Sequence, residues 1–134
     1  MGPGVVTHKI RPTSLGVAFV LLGAAIVAAW NLHGGGVWIV AGILGPDLAF
    51  LAAIGAPHAP GRLPGRAVVP YNMAHHPAGP ALALVGAAGA SSASLGLFAI
   101  AWLSHLAWDR GVGYGLRGPA GEITDGFVRP GVPQ

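Results

Sequence analysis

The chain has 134 residues, of which 8% are charged and 53% hydrophobic. Seven basic and four acidic side chains are too few to cover a soluble domain of this size, which normally carries roughly 25% charged residues. The basic residues form no stripe, which excludes a nucleic-acid surface, and the lack of cysteine excludes disulfides, thiolate metal sites and iron–sulfur clusters.

With a mean hydropathy of +0.64, the chain reads as an all-α protein that exchanges water for lipid over most of its surface. Residues 1–14 form a polar cytoplasmic N-terminal segment with Lys9 and Arg11. The first apolar run covers residues 15–30, and Asn31 to Gly36 is a turn by composition. A second run covers 37–55. Residues 56–69, with three prolines plus Arg62 and Arg66, read as a longer inner loop. The third run covers 70–90, Ser91-Ser92 makes a tight outer turn, and the fourth run covers 93–109. Residues 110–134 are a Gly/Pro-rich cytoplasmic tail, read as surface-lying or partly disordered.

Crossing a ~30 Å hydrocarbon core takes about 20 residues in a helix. The expectation is therefore a four-helix transmembrane bundle over residues 15–109. The basic residues orient it. Lys9 and Arg11 precede the first run, Arg62 and Arg66 lie in the second loop, and Arg110, Arg117 and Arg129 lie in the tail. All seven fall on one side of a four-span chain, which makes both termini cytoplasmic in a bacterial inner membrane. Trp30 and Trp38 then mark the outer interface, with Tyr71 and Trp108 at the inner one. A rival reading makes the first run a cleaved signal peptide, which leaves three spans and splits the basic segments between the two sides. Gly79/Ala83 and Gly86/Ala90 set small residues four apart, a spacing that permits close helix packing.

Ionisable groups inside spans are costly and mark sites. Asp47 lies in the second run after Pro46, which has no N–H to give the Gly42 carbonyl, so a kink is expected there. His75 and His76 open the third run. Adjacent helical residues point in different directions, so His76 is a substitute for His75 rather than its companion. Pro77 offers an alternative helix start with His76 in a cap-like position, although a kinked helix from near Pro70 is the better fit in length. His105 and Asp109 share one face of the fourth run. At 1.5 Å per residue, Asp47, His75 and His105 lie ~12, ~7 and ~6 Å from the cytoplasmic end.

Asp47, His75, His105 and Asp109 thus converge in depth as candidate ligands for zinc, manganese or iron. The same residues also suit a structural polar network or proton transfer, and Asp109 beside Arg110 suits an interfacial ion pair. His8, His33 and His58 lie in polar or loop segments and are expected to be solvated. Tyr114 and Arg117 are placed to fold back over the cytoplasmic mouth. Two functions follow: a metal-dependent membrane hydrolase acting on lipid, or a non-enzymatic membrane subunit or scaffold. The expected partners are membrane lipid and either a homo-oligomer or a larger membrane complex, with no nucleic acid.

The segments Gly45-Pro46-Asp47-Leu48, Tyr71-Asn72-Met73-Ala74-His75-His76 and Trp102 to Leu116 resemble the bacterial membrane proteins grouped as domain of unknown function 4260. The resemblance covers about residues 12–118. It implies a small multi-span inner-membrane protein, brings no activity, and favours His75 over His76. A looser similarity to membrane proteins described as metal-dependent hydrolases is an analogy of residue placement.

Overall fold

A computed structural model describes residues 10–124. Lys9 and Arg129, used above for orientation, and His8 lie outside the described residues. Within them the chain is helical and has no strand, only an isolated bridge between Arg117 and Ile123. The helices are α1 (Pro12–Ala29), α2 (Gly35–Leu44), a 3-10 helix (Pro46–Ala53), α3 (Gly65–His75), α4 (Ala78–Gly89) and α5 (Ala93–Gly111).

α5 is the spine. α1 runs antiparallel to it, tied by Arg11 N–H to the Gly111 carbonyl at 2.7 Å and by Ser104 Oγ to the Ala18 carbonyl at 2.8 Å. α2 lies parallel to α5, with Gly42 against the Phe98 carbonyl and the Ala101 side chain. α4 returns antiparallel, and Gly79 leaves room for the Trp102 ring. Gly42 and Gly79 thus sit where the helices touch, whereas Gly86 and Ala90 of the second spaced pair are exposed.

The second expected span divides at Pro46. Gly45 N–H closes an α-type bond to Ala41, and after the proline Leu48 N–H bonds to Gly45 instead. The tighter helix departs from α2 by 42°, the consequence of a missing donor.

The third span differs more from expectation. Helix begins at Gly65, inside the segment read as a loop, and it breaks at His76-Pro77 rather than continuing with a kink. His76 takes the extended conformation (ψ 131°) that a following proline demands, and its Nδ1 accepts from Ala78 N–H at 3.2 Å. His76 is thus the C-cap of α3, and Pro77 is the N-cap of a helix that starts at Ala78, one residue later than the alternative start placed it. Trp102 Nε1 donates to the Ala74 carbonyl at 2.7 Å, satisfying one of the groups exposed by the break.

α3 folds back along the 3-10 helix, and Leu63, Ala67, Val68 and Tyr71 pack on Ala49, Ala52 and Ala53. Arg66 fastens this hairpin through the carbonyls of Ala52 and Ile54. The tail also departs from expectation. Residues 113–124 fold as a strap, with Thr124 N–H bonded to the Leu116 carbonyl at 2.9 Å and Leu63 N–H to that of Gly121 at 2.9 Å. Among the described residues α1 is long and apolar enough to cross a membrane, and α2 with the 3-10 helix qualifies if counted as one bent span. α4 is apolar but shorter.

Candidate metal centre

Two breaks in regular structure and the last turns of α5 bring the ionisable residues together. The turn at Pro46 aims Asp47 at α5. The end of α3 presents His75, and the last turns of α5 present His105 and Asp109. His75 Nε2 and His105 Nε2 are 3.3 Å apart. Asp47 Oδ1 lies 3.7 Å from the first and 3.5 Å from the second. Asp109 Oδ2 lies 3.4 Å from each. The four atoms therefore form two triangles that share the His–His edge. A tetrahedral ion held at ~2.0–2.1 Å by nitrogen and oxygen separates its ligand atoms by ~3.4 Å, so both triangles have the size of a zinc-site face. Asp47, His75 and His105 are mutually close enough to hold one ion.

The two histidines are buried, Asp109 is partly covered and Asp47 is half exposed. His76 points outward and is exposed, as are His33 and His58. Of the adjacent pair, only His75 joins the cluster.

Each ring is held from behind. His75 Nδ1 lies 2.9 Å from the Tyr71 carbonyl, and the Tyr71 ring stacks on it at 3.9 Å. His105 has the backbone of Ile43 beside it, one residue beyond the carbonyl expected to be freed by Pro46. A carbonyl can only accept, so neutral His75 places its proton on Nδ1 and turns a lone pair at Nε2 toward the cluster. This is the orientation that a metal-ligating histidine needs.

Sequence reasoning gave Asn72 no role. The side chain accepts from Arg117 N–H at 2.7 Å and donates to the Arg117 carbonyl at 2.8 Å, clamping the strap to α3. Tyr71 hydroxyl reaches the Gly115 carbonyl at 3.3 Å, and the Arg117 guanidinium lies 5.4 Å from the centre of the Tyr71 ring. The fold-back of Tyr114 and Arg117 is thus realised. The readable signal was the four-residue spacing of Tyr71 and His75, which places them on one helix face. In Asn72→Ala two backbone groups of the strap lose their partners, at a cost of ~1–3 kcal/mol. The Arg117 amide is expected to exchange with solvent at least about tenfold faster, measured by hydrogen–deuterium exchange. Unchanged exchange would mean that the clamp does not hold the strap.

No curated protein and no solved structure matches the chain. A family model does match it, over residues 15–124, and by that match the chain belongs to the family described as domain of unknown function (DUF4260).

Proposed function

We propose that this chain is a four-span bacterial inner-membrane protein whose Asp47, His75 and His105 bind one divalent metal, with Asp109 beside the two histidines as a further candidate ligand. In this reading the metal centre serves a hydrolase-like reaction on a lipid substrate. Zinc is the first candidate from the size of the triangles, with manganese and iron next.

Two observations support the membrane setting. Alanine is the commonest buried apolar residue, with buried His75, Ser104 and His105 beside it, while Phe19, Val20, Val27, Trp30, Leu82 and Val85 are more than half exposed. Large apolar side chains outside and small or polar ones inside suit lipid as the solvent. Arg11, Arg66, Arg110 and Arg117 also gather at the end of the bundle that holds the hairpin and strap, with Trp30 and the Asn31–Gly34 turn at the other. That asymmetry favours a cytoplasmic hairpin and strap. The bent pair of α2 and the 3-10 helix then counts as one broken span, a form tolerated where the break lines a site.

The single observation that carries the metal reading is the crowding of four nitrogen and oxygen atoms. Two imidazole nitrogens and two carboxylate oxygens face one another. His75 spends its proton on Tyr71, so at most one, from His105, is left for the group. A cation between the triangles removes that repulsion. A divalent metal there would also lower the pKa of a water it binds, which is what hydrolysis at neutral pH requires.

The test is elemental analysis of the detergent-purified protein. About one zinc per chain is expected in the wild type, and little in Asp47→Asn or His105→Ala. A folded, metal-free wild type would overturn the reading in favour of a polar network inside a membrane subunit.

A further inference from the structure

Two openings reach the Asp–His cluster, from different sides of α5. One lies under the strap, between His75, Asp109 and Tyr114, and has a volume of about 10 Å³. That is room for about one water. The other is a cleft of about 350 Å³ between α1 and the α2 bend. It exists because α1 and α2 both pack along α5 yet scarcely touch each other.

The cleft has two chemical ends. Asp47, His105 and Asp109 line one, and Leu22, Ile43, Leu44 and Trp108, with Ser104 among them, line the rest. Its flank is open to the surroundings of the bundle: Leu44 and Trp108 are 58% and 46% exposed. A larger groove of about 810 Å³ beside Pro46 and Pro70 is lined by none of the four cluster residues and gives no such polar terminus.

We infer that the cleft between α1 and α2 seats one acyl chain of a membrane phospholipid, with its headgroup phosphate at the Asp–His cluster. The inference rests on the metal reading, since two carboxylates would repel a phosphate without a cation between them. Three features select this occupant. An apolar wall open along its side admits a chain from the bilayer without passage through water. The polar terminus lies at the end of the chain path. Arg11 and Arg110 belong to the same end of the bundle and favour an anionic head.

The experiment uses the full chain in detergent, first assayed for zinc and then offered dioleoyl phosphatidylglycerol. Native mass spectrometry counts retained lipid. The zinc-loaded wild type is expected to retain one lipid per chain. Leu22→Trp and Leu44→Trp fill the cleft and should weaken retention at least about tenfold. Leu82→Trp, exposed on α4, should retain it as the wild type does. Glycerol 3-phosphate, which has no chain, should bind equally to all four proteins. Leu44 is exposed, so its variant is expected to fold and keep its zinc even if Leu22→Trp does not. Equal lipid retention by zinc-loaded Leu44→Trp and Leu82→Trp overturns the inference and leaves the metal site standing. A wild type without zinc removes the reading beneath it.

Discussion

Zinc is expected to raise the thermal midpoint of the purified protein, and His75→Ala is expected to abolish that rise. The cluster draws its residues from the 3-10 helix, the end of α3 and the end of α5. α3 lies on the 3-10 helix and under the strap rather than along the spine. An ion at the cluster therefore ties the hairpin to the bundle. A ligand that binds only the folded state stabilises it by RT ln(1 + [L]/Kd), ~4 kcal/mol at a thousandfold excess over Kd. That amounts to a shift of several degrees or more. His75 is 4% exposed and offers Nε2 to both triangles, so its loss should weaken zinc binding by more than about 100-fold. His76→Ala changes the adjacent residue, whose ring is exposed and bonded only locally, to Ala78. It should respond to zinc as the wild type does. Differential scanning fluorimetry with zinc and with a chelator reads all three proteins. An equal response in His75→Ala and His76→Ala would sink the assignment.

The contrast between these neighbours shows what the sequence carried and where it stopped. Depth along each apolar run was enough to bring Asp47, His75, His105 and Asp109 to one level, because a helix converts residue number into height. Contact between them was not legible, since it depends on the order of helices around α5. Pro46 announced its bend through a missing donor. Pro77 announced a break as well, but the length argument favoured a continuous helix from Pro70. What won locally was the restriction on His76 before proline, with Trp102 and the His76 ring supplying hydrogen bonds at the break. Those partners lie up to 28 residues apart in sequence and leave no local pattern. The order of the strap has no local pattern for a related reason. Gly113 and Gly121 look like signs of disorder in composition, yet both occupy positive φ, at 92° and 79°, which lets a short segment turn back onto α3.

Gly42→Ala is expected to destabilise the protein, although alanine is the better helix former. In the interior of α2 the exchange would by propensity alone be favourable by ~1 kcal/mol. Packing decides the sign. A Cβ at Gly42 would run into the Phe98 carbonyl and come within 2.7 Å of the Ala101 side chain and 3.0 Å of Trp102 N. Two of these three neighbours are backbone atoms of the spine and cannot turn aside, so α2 itself must move. Overpacking of this kind costs ~1–3 kcal/mol. Displacing α2 also carries Pro46 and Asp47 with it, so the variant should lose zinc affinity without losing any ligand. Gly16→Ala is the control. Gly16 also lies within a helix, α1, and a Cβ there meets nothing within 4 Å. Propensity then acts alone, and the midpoint should stay or rise. Thermal unfolding of both variants, with zinc titration of each, checks the argument. If Gly42→Ala is as stable as Gly16→Ala and binds zinc as tightly, α2 does not lie against α5 at Gly42. The path by which Pro46 delivers Asp47 to the histidines would then be wrong.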